Sequence, residues 1–180
     1  ILDAMNSIPE GQSTEETPWI IKVSSGRYIE SQTIHFKPFV YIVGEDIGGV
    51  IIEPQTEGFD LFVFNRATAL SFCSLKGVQS PNYACVFTDT GSVGFEYALL
   101  HKVNVYSSKM LVNTQSSDSY VYFEYCSYAP DHEEDVIDVT VDVVSDNDYE
   151  AYLSVENHFI QGIFSIAAVR ISGPKATFYG

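Results

Sequence analysis

Cationic residues are scarce: nine Lys plus Arg stand against 24 Asp plus Glu, giving a formal net charge of −15. Binding a phosphate backbone depends on cationic neutralisation and counterion release, so nucleic acid is not an expected partner. Cysteine is sparse as well. Cys73, Cys85 and Cys126 are an odd number, which rules out a fully paired disulfide framework within one chain. Each lies in an apolar, strand-like run (LSFCSLKGV, YACVFTD, YFEYCSY), where cysteine behaves as a small hydrophobe. Buried free thiols are therefore expected, with one disulfide, or a metal or catalytic role, as the alternatives. No run approaches the ~20 apolar residues of a membrane-spanning helix, so no span is expected. The long Lys/Glu-rich runs of a helical bundle are missing. So are a Gly-x-Ser-x-Gly elbow, a phosphate-cradling Gly loop and a dinucleotide fingerprint.

Apolar and aromatic residues are plentiful. Of the 180 residues, 46% are hydrophobic and 14% aromatic, with 12 Tyr and 12 Phe, so disorder is confined to short loops. A chain of this length buries roughly two thirds of the surface its unfolded form exposes and fits one domain, 1–180. It opens at Ile1 rather than Met, consistent with a fragment or processed product of a longer chain. The acidic excess suits solubility, calcium, a basic partner or a salty environment, and composition does not choose among them.

One segment reads as helix. ILDAMNSIPEG places Ile1, Leu2, Met5 and Ile8 on one face, and Pro9 with Gly11 ends it. After the polar loop QSTEETP, everything from Trp19 reads as short β-branched or aromatic runs separated by Gly, Asn, Asp and Ser. Four of these runs, LSFCSLKGV, YALLHKVNVY, YVYFEYCSY and YLSVENHFI, share a cadence, and each is followed by a second, shorter apolar run. Matching Leu75 to Val103 gives a step of 28, and Val103 to Tyr125 a step of 22. Irregular steps with a stable cadence are expected of a parallel solenoid, whose corners vary while its strands stay in register. The sequence thus predicts an all-β, single-stranded right-handed parallel β-helix. A capping helix occupies 1–10 and coils occupy 19–180. IIKVSSGRYIESQTI becomes a corner, with Gly26 marking the turn, rather than a hairpin. Ile1, Leu2, Met5 and Ile8 form a lid on the first coil. The C-terminal SIAAVRISGPKATFYG has no evident lid, so the last coil is expected to abut another subunit or a following domain.

IIKVSSGRYIE, followed by FVYIVGED and VIIEP, resembles the opening coils of the pectin methylesterase family, within the pectin-lyase-like right-handed β-helices. The shared features are Gly26, Tyr28 and Glu30 after a strand, then an aromatic-apolar run ending in Gly44 and the pair Ile51–Ile52. The likeness covers roughly residues 1–140. It implies ester hydrolysis by a nucleophilic carboxylate, a carboxylate acid/base, an oxyanion-steadying Gln and an orienting Arg. The first Gln aligns with Tyr83, and the next Gln and Asp with Ser108 and Lys109; one Asp aligns near Asp135. The family's late Leu-Gly-Arg-Pro-Trp has no counterpart: Arg170 lies in AVRISG and the sole Trp is Trp19. An ammonium inverts the charge the acid/base role needs, so the resemblance supports the scaffold and argues against the activity.

Other candidates are local. The tract 131–150 is the most acidic; Asp138 and Asp142 fall on one strand face, a solvated face in its plainest reading. DNDYE offers alternate oxygen ligands to calcium without the Gly or distant Glu of an EF-hand. Asp135, Asp138 and Asp142 also supply carboxylate pairs for glycoside cleavage. His35, His101, His132 and His158 share no metal spacing, and His101 and His158 read as hydrogen-bonded wall residues. In SYVYFEYCSYAP, Tyr120, Tyr122 and Glu124 share one face and Val121, Phe123 and Tyr125 the other. A Tyr120–Tyr122 ladder beside acidic groups suits stacking on sugar rings or a protein interface.

The expected function is a non-catalytic structural or adhesive β-helix module, such as a virion, fibre or cell-surface component, extracellular or on a virion surface, that contacts other protein subunits. No cofactor or metal is expected. The alternatives are a polysaccharide-acting esterase or lyase with its site rebuilt around Asp135 and Asp138, and a glycan-binding module using Tyr120 and Tyr122.

Overall fold

The computed structural model describes residues 1–79, 81–88, 96–106, 109–113, 120–129, 141–144, 151–156, 159–160, 169–172 and 176–179. After helix α1 (Leu2–Ser7), the chain winds through β1 (Trp19–Val23), β2 (Gly26–Glu30) and β3 (Ile34–His35). It then passes through β4 (Val40–Gly44), β5 (Val50–Pro54) and β6 (Phe62–Phe64). The next windings are β7 (Thr68–Leu75) with β8 (Tyr83–Thr88), and β9 (Ala98–Tyr106) with β10 (Lys109–Asn113). Beyond them come β11 (Tyr120–Glu124), β12 (Ser127–Ala129) and β13 (Val141–Val144), and β14 (Ala151–Glu156), β15 (Phe159–Ile160) and β16 (Val169–Ser172), before β17 (Ala176–Tyr179).

These strands form a parallel β-solenoid. One wall runs β1-β4-β7-β9-β11-β14-β17, and a separate sheet runs β3-β6-β8-β10-β13-β16. A third wall is built by β2, β5, the second halves of β7 and β9, β12 and β15. β1 and β2 each pair in parallel with a strand of the following coil, so the Ile20–Ile34 stretch is a corner. The corner falls at Ser24–Ser25, and Gly26 already opens β2.

Like residues stack in columns because every coil repeats the same in-out alternation. Ile21 lies beside Ile42, Ile42 beside Leu70, Leu70 beside Leu100 and Leu100 beside Phe123. On the separate sheet Ile34, Phe62, Cys85 and Met110 form a second column. The rings of Phe36, Phe64, Phe87 and Phe123 run through the interior with centroid separations of 4.6, 4.3 and 5.5 Å. Each fully buried ring contributes about 1.5–3 kcal/mol relative to exposure. The three cysteines are free and buried among these columns.

The helix acts as the expected lid, though shorter than residues 1–10. Met5 and Ile8 are buried, and Ile1 and Leu2 pack against the core. Ile8 leaves the helix with an extended backbone because it precedes Pro9, and Lys37 Nζ donates to its carbonyl. The Ile1 amino group lies 2.7 Å from Glu30 Oε1, and the Leu2 amide donates to Oε2 at 3.2 Å, so this carboxylate is paired although only 4% exposed.

The register differs from the sequence expectation. Cys73, not Leu75, lies beside Val103, and Leu75 lies beside Val105. One coil on, Glu124 is beside His101 and Ser127 beside Asn104, which sets Cys126, not Tyr125, opposite Val103. The cause is a one-residue corner: Phe72, Lys102 and Tyr125 all have positive φ, at 56°, 53° and 53°. A left-handed residue rotates the succeeding residues without breaking the run, so Tyr125 leaves the Val121–Phe123 face and is 52% exposed while Cys126 is buried.

Candidate functional site

The outer wall of the first sheet carries an in-register column. Ile20 lies beside Tyr41, Tyr41 beside Ala69, Ala69 beside Leu99 and Leu99 beside Tyr122. At ~4.8 Å per strand, this apolar and aromatic strip spans about 19 Å on a hydrogen-bonded support. Tyr120 flanks it at 39% exposure, and Tyr41 and Tyr97 bond through their hydroxyls. Burial and that bond raise the Tyr97 phenol well above its ordinary range. Tyr120 and Tyr122 lie on the outer face of β11, within a longer strip that the sequence did not reveal.

The neighbouring column leads to the left-handed corner. Ser71 lies beside His101 and His101 beside Glu124. His101 Nδ1 donates to Glu124 Oε2 at 3.1 Å, so His101 is a hydrogen-bonded wall residue. Its ring stands edge-on to Phe72 at 5.6 Å and to Tyr125 at 5.7 Å, and Lys102 Nζ sits 5.2 Å from the Phe72 centroid. Phe72, His101, Lys102, Glu124 and Tyr125 thus form one surface cluster from three successive coils. At the equivalent corner one coil earlier stands Gly44, where an added Cβ would lie 2.0 Å from the Phe72 carbonyl oxygen. Beside it Ile20, Lys22, Val23, Ser24, Val43, Gly44 and Glu45 line a shallow depression of about 350 Å³.

Several other sequence candidates receive a place. Tyr83 and Lys109, the positions aligned with the family's Gln and Asp, are direct neighbours across β8 and β10. Tyr83 donates its backbone N–H to Asp60 Oδ1 at 2.8 Å. Trp19 lies in β1, with Nε1 donating to the Gln12 carbonyl at 3.4 Å. Arg170 lies in β16 beside Asp142 of β13. Ser108, Asp135, Asp138, His132 and His158 lie outside the described residues, as does the 131–150 tract except for 141–144. Among the described residues, no group of three or more His, Cys, Asp or Glu side chains is placed to hold a metal, and no helix is long and apolar enough to cross a membrane.

Burial holds the thiols in their protonated form: Cys126 is pushed up to about 12, and Cys73 and Cys85 are also raised, chiefly by desolvation. A nucleophilic cysteine needs the opposite setting, electropositive and partly exposed. Comparison with family models, with curated proteins and with solved structures finds no significant match.

Proposed function

We propose that this chain is a non-catalytic structural or adhesive β-helix module, of the kind that builds virion, fibre or cell-surface assemblies, and that it works outside the cell or on a virion surface. The observation supporting this reading is the outer column Ile20–Tyr41–Ala69–Leu99–Tyr122 with Tyr120 beside it. Stacked coils hold these side chains at fixed spacing, so little conformational entropy is lost when a partner covers them. Tyrosine suits such a face because it combines a large apolar ring with a polar tip. The partners on this reading are other protein subunits.

The likeness to pectin methylesterases fits a scaffold that has kept its shape without that family's chemistry. Tyr83 and Lys109, adjacent across β8 and β10, supply neither an amide nor a carboxylate at the positions the likeness assigns. Native mass measured across a dilution series tests the assembly role. An oligomer that Tyr122→Arg dissociates supports it. A single-chain mass at every concentration counts against it. Screening on pectic and other acidic polysaccharides tests the alternative esterase or lyase: turnover lost in Asp135→Asn would replace the proposal. A glycan-binding module is the second reading, favoured by the exposure of Tyr120.

A further inference from the structure

The Phe72–His101–Tyr125 corner borders the Tyr120–Tyr122 strip, and its chemistry is mixed rather than apolar. Tyr125 offers a half-exposed ring. Beside it stand the His101 imidazole and the Glu124 carboxylate bonded to it, and the exposed Lys102 ammonium lies over the Phe72 ring at the other end of the cluster. Because Nδ1 of His101 is engaged by Glu124, Nε2 is the ring nitrogen left to hydrogen-bond a ligand hydroxyl. A ring platform bordered by charged donors and acceptors matches a pyranose, which has an apolar C–H face and a rim of hydroxyls. Strand addition does not suit this corner, because the strands on either side of it in β7 and β9 are paired to neighbouring coils.

We infer that this corner binds a neutral pyranoside, its C–H face stacked on Tyr125 and its hydroxyls hydrogen-bonded to Glu124, His101 and Lys102. The inference rests on the reading of the chain as a non-catalytic adhesive module and names a ligand class and site for it. Neutrality follows from charge. Lys102 offsets the Glu124 carboxylate locally, but the chain carries −15, so a uronate would approach against the overall field. The left-handed backbone at Lys102 and Tyr125 gives these residues a common purpose: it swings both side chains outward at positions where continued alternation would turn Tyr125 inward.

The test is an amide chemical-shift titration of the whole chain with cellohexaose, mannohexaose and tri-galacturonate as probes. Shifts centred on Phe72, Lys102 and Tyr125 with a neutral probe are expected. Tyr125→Ala should weaken binding by about tenfold or more, the scale of losing a central aromatic anchor. Tyr125→Phe, which keeps the ring and the fold, should retain most of the affinity. No shifts with any probe, shifts confined to Tyr120 and Tyr122, tighter binding of tri-galacturonate, or full affinity in Tyr125→Ala would each overturn the inference. Conversion of a probe during the titration would instead contradict the non-catalytic reading, leaving the site to be judged by its shifts.

Discussion

Replacing Gly44 by alanine provides a sharp test of how closely the coils approach. Gly44 ends β4 where the chain turns toward β5, and the backbone of Phe72 in the next coil lies directly against it. An added Cβ would stand 2.0 Å from the Phe72 carbonyl oxygen, 2.9 Å from its carbonyl carbon and 3.3 Å from Val50 Cγ2. The obstacle is backbone, so no side-chain rotation relieves it. The coils must part by about 1 Å at the corner or the Phe72 turn must change, and either strains the pairing of Val43 with Ser71. Overpacking of this kind costs about 3 kcal/mol or more. In a domain of this size that lowers the melting temperature by roughly 6–12 °C. Gly26→Ala is the control: its Cβ would meet only the Tyr28 ring, at 3.5 Å, and the change should fall within about 0.5 kcal/mol. Urea and thermal melts of the two variants measure the difference. Equal stabilities would refute the close approach at Gly44.

Phe87→Ala removes the ring that joins Phe64 to Phe123 and should cost about 3–5 kcal/mol in urea denaturation. The thiols should resist a disulfide reagent at pH 8 in the native protein, and all three should react once the chain is unfolded. Stability should fall in alkali. Folding raises the thiol pKa values above 9.0, so above that pH the unfolded chain releases protons that the folded one keeps, and the equilibrium shifts toward unfolding. Each thiol contributes about 1.4 kcal/mol per pH unit, up to its folded-state pKa, so Cys85→Ala should make the decline between pH 9.5 and 11 shallower, as urea melts at several pH values would show.

The solenoid was legible because its signals are redundant. Short β-branched runs, an irregular step and a single amphipathic segment ahead of them all pointed to stacked coils with a lid. Period-2 spacing separates Tyr120 and Tyr122 from Val121 and Phe123, and the structure buries the latter pair, but the same spacing wrongly groups Tyr125 with them. The register was not legible. Its shift arises at Phe72, Lys102 and Tyr125, where aromatic and lysine side chains adopt a backbone conformation that sequence normally signals with Gly or Asn. LSFCSLKGV therefore reads as one uninterrupted strand, although it turns a corner at Phe72. The surface cluster was hidden for the same reason. Phe72, His101 and Tyr125 meet only once the coil steps are known, and the matched steps of 28 and 22 differ from the pairings of Cys73 with Val103 and of Glu124 with His101. A recurring triplet, Ser-Phe-Cys, His-Lys-Val and Glu-Tyr-Cys, was the available clue to those corners.

The central claim is that successive coils lie parallel and in register, with Leu70 beside Leu100 and Leu100 beside Phe123. Nuclear Overhauser contacts on isotope-labelled protein test it directly. Amide-to-Hα contacts should link these three residues across coils, and no strong Hα–Hα contacts should join strands consecutive in sequence, such as β4 and β5. Strong Hα–Hα contacts between such strands, the mark of antiparallel pairs whose Cα atoms approach to ~4.5 Å, would contradict the account.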